Sequence, residues 1–479
     1  MIDRIDRDRP AGLNTVTRTV ILLEVCMRGT ARALAVTTTA ALALGLTACS
    51  TGGSADGRPV KQAVPEAGEK TKKPEKPAGP VTLKYWTSSP PEAALKRAVT
   101  AFEQANPGIE VELRAFAEAD YRKRLPEALA GDEALDVVGL PIPTMTRSVA
   151  DRLRPVDEWK DKVSGDWVDE LDENAVEQTE KAAKGGTLYS VPMGSSGGAV
   201  MYYNAGLLSE LGLSFPETAA DLESVVMRVK KEIPDLQPVV FSGEPRRQEE
   251  LLFTIAGQTH PTLSDDLLTG GKPWNGPEMV SALTAYGSLF DRGVLAKSAL
   301  TLKGDRPAEL FRSGKALFLV DGSGQSPMLS ASYRETAKVS VKQIGAGPFP
   351  TILPGAKPAV RSTAEVGLAV PKSSKHVAEA ATLIEFLTAG DGVAGWAGDL
   401  ALVPAREDFR MDSSVFATSE GKDGYAAIQE LVRNGGSLNV PDEAFLERAE
   451  GDAILDVARG RITAKKAADR LQKEWSRGQ

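Results

Sequence analysis

Apolar and polar positions alternate along Val81–Thr87 (VTLKYWT), the pattern of a half-buried strand. Ser88-Ser89-Pro90-Pro91 interrupts it, and a helical pattern runs from about Glu92 to Gln104. Asn106-Pro107-Gly108 turns the chain into a second strand, Ile109–Arg114. A helix over Asp120–Ala130 and a short apolar strand over Asp136–Leu140 follow. Strand, helix, strand at this spacing predicts a βαβ unit on a parallel sheet. Ligand sites of open α/β sheets lie at the carboxyl ends of strands. Position alone therefore makes Ser88, Ser89, Glu92 and the loop Pro141–Thr144 candidates.

The block Tyr189–Leu213, YSVPMGSSGGAVMYYNAGLLSELGL, organises the rest. A glycine-rich bend is expected over Gly194-Ser195-Ser196-Gly197-Gly198, then a buried strand over Ala199–Tyr203. Asn204 is placed to cap a helix whose Leu207, Leu208 and Leu211 share one face, and Gly212 to end it. Further on, Glu217–Lys231 is amphipathic, Pro238–Ser242 reads as a strand and Pro277–Arg292 as a long helix. Trp274, just ahead of that helix, is either helix-start packing or a stacking platform. Phe311–Asp321 predicts a strand and Gly345–Pro354 a Gly/Pro-rich crossing. Glu365–Pro371 predicts a strand, Lys375–Leu387 and the segment from Asp391 to Trp396 helices, and Glu443 to Arg477 a helical tail punctuated by Gly460 and Thr463.

Composition bounds the chemistry. With 42% hydrophobic and 25% charged residues, 479 residues suffice for two lobes plus tails at ~150 residues per domain. The net charge of -8 argues against nucleic acid or anionic lipid as the main partner. Two histidines (His260, His376) and two cysteines (Cys26, Cys49) argue against zinc or thiol chemistry. No phosphate-loop, dinucleotide or H-E-x-x-H motif occurs, so neither cofactor nor metal is expected.

The N-terminal part reads as an export signal. Met27–Cys49 begins with Arg28 and Arg32, continues in a short apolar run and ends in Leu46-Thr47-Ala48-Cys49. Residues 1–26, with alternating Asp and Arg, are expected to be a mis-called leader, 27–48 a signal peptide and 49–80 a disordered tether. Random-coil scaling gives that tether a reach of roughly 30 Å.

Several motifs in order resemble the extracellular solute-binding proteins of ABC transporters, in the branch that includes maltose-binding protein. They are Tyr85-Trp86 with AFEQANPGIEVE (101–112), Arg154-Pro155-Val156-Asp157, Tyr189-x-x-Pro192 with Tyr202-Tyr203-Asn204, Phe311–Asp321, EVGLAVP (365–371) with the helix after it, and Leu402–Arg406. Leu-Thr-Ala-Cys matches the bacterial lipobox, which implies lipidation of Cys49 and a place on the outer face of the cell membrane.

The resemblance implies an α/β, two-lobed periplasmic-binding-protein-like fold, each lobe a mainly parallel sheet flanked by helices. Lobe 1 would be 81–200 plus 346–400 and lobe 2 201–345 plus 401–479, with crossings near 198–202, 345–350 and 398–404. It implies hinge closure on a small solute, carbohydrate being the expected class, and delivery by a monomeric receptor to a membrane permease. Sugar-binding relatives place a tryptophan after the glycine that matches Gly322. Here that position is Gly324, so that platform is missing. Trp86, Tyr202, Tyr203, Trp274 and Trp396 are the candidate ring faces, Trp86 doubling as core. Ser88, Glu92, Ser196, Asp321, Ser323, Gln325 and Arg361 are the candidate polar contacts.

Two other readings stay open at this point. One is a ligand-sensing lipoprotein with a signalling partner. The other is a surface serine hydrolase using Ser196, within a G-x-S-x-G match, and His376. The pentapeptide is expected to lead into a strand, whereas the nucleophile elbow needs a helix there.

Overall fold

A computed structural model describes residues 80–131, 133–353, 355–437 and 444–478. The expected leader, signal peptide, Cys49 and all but the last residue of the tether lie outside the described residues. Eleven strands occur among the described residues. They are β1 (Val81–Thr87), β2 (Ile109–Ala115), β3 (Val137–Pro141), β4 (Val191–Gly197), β5 (Val200–Asn204) and β6 (Gln237–Phe241). β7 (Ala316–Asp321), β8 (Ile344–Pro348), β9 (Arg361–Ala369), β10 (Val403–Pro404) and β11 (Gly436–Ser437) follow.

They form two sheets. The first has the order β10-β4-β9-β3-β1-β2, with β11 beside β9; the second has the order β6-β7-β5-β8. Pairing is mixed. β1 runs parallel to β2 and β3, and β6 parallel to β7, as βαβ connections require. β9 runs antiparallel to β3 and β4, and β5 antiparallel to β7 and β8. β9 and β5 each enter their sheet from the other sheet, and β10, which follows helix Gly392–Ala397, also pairs antiparallel with β4.

Helices cover the sheets because their apolar stripes have nowhere else to go. Helix Glu92–Ala105 buries Ala94, Leu95, Ala98, Val99 and Phe102, the i, i+3/i+4 series of an amphipathic helix. It packs with Val377–Thr388 and Gly392–Ala397 in a core centred on Tyr85, Trp159, Leu368 and Trp396. Under the second sheet, Ala219–Glu232, Pro245–Gly257, Pro277–Asp291 and the C-terminal Ala444–Ala458 and Ala464–Gly478 enclose Phe241, Trp274, Tyr286 and Phe318. A third cluster draws on both sides, with Val200, Tyr202 and Val360 against Leu400, Val403 and Tyr425.

Three expectations shift. Gly194–Gly197 are strand residues of β4 and not a bend; the change of direction falls at Gly198 and Ala199, whose φ of 55° is left-handed. Residues 345–348 belong to β8 in the second sheet, so the chain returns between Pro348 and Arg361. Phe311–Asp321 divides into the end of helix Arg306–Arg312, a turn at Gly314 and β7. Asn204 does cap its helix, accepting from the Leu207 amide at 3.1 Å, and Gly212 follows with φ 63°.

Candidate functional site

The passage from β4 to β5 lies beside a cleft of about 460 Å³, within the usual range for small-molecule sites. Its lining draws on both sheets. From the first come Ser89, Pro141, Ser196, Gly197, Arg361, Thr363 and Glu365; from the second and its helices come Arg246, Arg247, Glu249, Glu250, Gly322 and Ser323.

β9 supplies one wall by simple alternation. Ser362, Ala364 and Val366 point into the core, which leaves Arg361, Thr363 and Glu365 on the opposite face, toward the cleft. Ser196 pairs in register with Thr363 across β4 and β9. Its hydroxyl donates to Glu365 Oε1. Burial holds the Glu365 carboxyl above the usual carboxylate range. The Ser196 hydroxyl and Arg246 oppose that shift, while Glu250 and Glu118 add to it.

The opposite wall is the first turn of helix Pro245–Gly257. Pro245 begins the helix, where a missing N–H is no loss. Arg246 and Arg247 follow in the turn where the helix dipole favours carboxylates, so other charges must hold them. Arg247 Nη1 donates to Glu250 Oε2 at 2.7 Å, and its Nε lies 3.4 Å from Asp321 Oδ1. Burial works against the Arg247 charge, but Glu250 and Asp321 outweigh it and hold the guanidinium protonated. A Cβ at Gly322 would lie 2.9 Å from Arg247 Nη1, so the glycine makes room for the guanidinium.

Contacts across the cleft tie the two walls. Arg361 Nη1 donates to Glu249 Oε1, and the guanidinium lies 5.8 Å from the Phe253 ring centre. The Gly197 amide donates to Ser323 Oγ at 2.9 Å, and Thr254 Oγ1 donates to the Gly198 carbonyl at 3.1 Å. Gly198 is needed there, since a Cβ on it would stand 2.8 Å from Glu250 Cβ.

The sequence candidates divide on this geometry. Ser196 and Arg361 line the cleft, as do Ser323 and, from the Pro141–Thr144 loop, Pro141, Pro143 and Thr144. Ser88 is half-buried and its neighbour Ser89 takes the lining position. Glu92 is exposed and paired with Lys96 at 2.6 Å, outside the lining. Asp321 is buried behind the wall, accepting from the Gly322 amide at 2.7 Å, and Gln325 lies in the following 3-10 turn outside the lining.

The ring platforms are core residues. Trp274 and Tyr202 have no exposed surface and Trp396 only 2%. Trp274 packs on Trp475, Tyr202 donates to the Gly322 carbonyl, and Trp396 Nε1 donates to the Leu387 carbonyl at 2.9 Å. Trp86 is likewise buried, and Tyr203 packs on Phe215. Among the described residues no aromatic side chain lines the cleft. Sequence reasoning missed Thr363, Glu365 and the Arg246–Glu250 charges. The polar alternation R-x-T-x-E after Val360 and the motif P-R-R-Q-E-E were the available signals.

The G-x-S-x-G pentapeptide lies on β4 and leads into β5, without a helix after it. His376 stands just ahead of helix Val377–Thr388, outside the cleft lining. Among the described residues no helix is long and apolar enough to cross a membrane, and no cluster of metal-ligating side chains occurs.

Comparison with known structures agrees with this architecture. Apo RafE from Streptococcus pneumoniae superposes with a TM-score of 0.65 at 18% identity, over 84% of this chain and 99% of that one. Maltose-bound T. maritima MalE3 gives a TM-score of 0.62 at 19% identity, over 83% and 99%. The ABC substrate-binding protein Lmo0181 from Listeria monocytogenes, in complex with cycloalternan, gives 0.61 at 21%, over 83% and 98%. No curated protein matches the chain. The two-sheet architecture is thus the periplasmic-binding-protein-like fold. The family model described as bacterial extracellular solute-binding protein matches residues 97–420, and the chain belongs to that family.

Proposed function

We propose that this chain is the lipid-anchored receptor of an ABC importer, capturing a carbohydrate between its two lobes by hinge closure. One observation carries the reading. A single cleft is lined by residues of both sheets, and the β4–β5 passage at Gly197–Gly198 forms part of its wall. A solute touching both walls favours the closed arrangement by the free energy of contacts that only closure completes.

The relatives' ligands support the carbohydrate class: maltose in MalE3 and cycloalternan in Lmo0181. With no aromatic ring among the described lining residues, hydroxyl groups would be held by hydrogen bonds to Ser196, Thr363, Ser323 and the charged side chains. The lipobox ending in Cys49 supports anchoring to the outer face of the membrane, with the permease as partner.

A thermal-shift screen of the chain against mono- and oligosaccharides, amino acids and polyamines tests the reading. A ligand at 100 times its dissociation constant adds about 2.7 kcal/mol to the native state, a readable rise in Tm. A saccharide hit is expected. Hits only among amino acids, or none in the panel, would contradict the carbohydrate reading.

A further inference from the structure

The charges of the cleft can be matched one against another. Arg122 pairs with Glu118 at 2.7 Å, and Arg361 with Glu249. Arg247 pairs with Glu250 at 2.7 Å and with Asp321 at 3.4 Å, and Arg246 reaches Glu250 at 3.4 Å. Every guanidinium of the lining thus already has a carboxylate. Glu365 has no such partner: among the described residues no cation lies within ion-pair distance of it, and Ser196 is its hydrogen-bond donor, on one oxygen only.

That carboxylate is not loose. It stands on the central strand β9, between the core-facing Ala364 and Val366, and the Ser196 hydroxyl fixes its orientation. Its second oxygen is left to the cleft. Glu250 and Glu118, on two other elements, add negative potential there, and Arg246, largely exposed, opposes it.

An anionic solute would have to displace a carboxylate from a guanidinium before binding. A cationic solute would meet Glu365 with nothing to displace and would offset the cost of burying that charge. We propose that the solute carries an ammonium group that docks on Glu365, within a hydroxylated framework reached by Ser196, Thr363 and Ser323: an amino sugar. This rests on the reading of the cleft as a carbohydrate site and narrows its substrate class.

The test is calorimetric titration of the full-length chain, and of its Glu365→Gln and Ser196→Ala variants, with matched probes. These are the free-amine and N-acetylated forms of glucosamine and of its β-1,4 disaccharide, glucuronic acid, and the polyamine spermidine. A charge-assisted contact is expected to favour the free amine over its N-acetylated form by about ten- to a hundred-fold at neutral pH. Glu365→Gln should erase that preference while its thermal stability without ligand stays at or above the parent's. Ser196→Ala, which frees the carboxylate to turn and removes one hydroxyl contact from amine and N-acetylated forms alike, should reduce the preference without erasing it.

Equal affinity for amine and N-acetyl forms overturns the assignment, as does a preference that survives Glu365→Gln or a best ligand that is the uronic acid. Spermidine binding without any sugar binding, if lost in Glu365→Gln, would keep the ammonium site and end the carbohydrate reading. Binding by no amine at all overturns the assignment, whatever neutral sugars do.

Discussion

The cores of the two lobes and the cleft between them share out aromatic and charged side chains in opposite ways. Trp159, Trp274, Trp396, Tyr202 and Tyr286 lie wholly or almost wholly inside the cores. Among the described residues the cleft carries four arginines, five glutamates and no aromatic ring. A receptor that gripped its solute by stacking would spend aromatic area on the cleft. Here the large rings serve cohesion, and the described lining of the cleft offers hydrogen-bonding and charged groups. The lesson concerns what each substitution should reveal: ring truncations should act on folding, and charge truncations on the cleft.

Trp396→Ala should have the largest effect, about 3–5 kcal/mol lost in urea unfolding, the range for emptying a buried large aromatic site. The affinity of the folded fraction should stay unchanged. An affinity loss with stability intact would mean that the ring serves the ligand after all. The comparison is sharpened from the other side by Arg361→Met, which leaves Glu249 facing the cleft without its cation. The pair is mostly but not fully shielded, so about 1–3 kcal/mol is expected. Adding Glu249→Gln should return part of it, and strict additivity in that double-mutant cycle would deny the cross-cleft contact.

A smaller effect is expected from Asp265, in helix Leu263–Leu268, whose carboxyl burial raises from its ordinary 3.8 to about 6. The unfolded chain gives up this proton near 3.8 and the folded chain near 6, so between those values the native state holds more protons. Stability should therefore fall as pH rises from about 4 to about 6 and level off above. Asp265→Asn should flatten that part of the profile, read as urea midpoints across the range. An unchanged slope would remove Asp265 as its cause.

Much of the fold was legible because its signals are local. The β1–helix–β2 opening, the Asn204 cap and the passage near residue 200 each rest on a few adjacent residues. The direction of a ring is not local. Trp274 is fixed by Trp475 and by Gln472, whose Oε1 accepts from its amide at 2.8 Å, about two hundred residues away in sequence. Nothing in GGKPWNGPE could state that. Arg361 and Glu249 likewise meet only in the folded chain. Glu365 is a different case. Its strand was expected to begin at residue 365, whereas it begins at Arg361, and the shift hid the alternation that turns Arg361, Thr363 and Glu365 toward the cleft. Two arginines in the first turn after Pro245 run against the helix dipole, and such a conflict is itself a sign of a site.

In the proposed function one solute is held by both lobes at once. Hydrogen exchange on the full-length chain, with and without a solute identified by thermal shift, tests it most directly. Slowed exchange is expected together at Gly197–Ala199, in the first turns of helix Pro245–Gly257, at Gly322–Gln325 and along the start of β9. Slowing confined to one lobe, or none at these segments while the ligand is demonstrably bound, would contradict it.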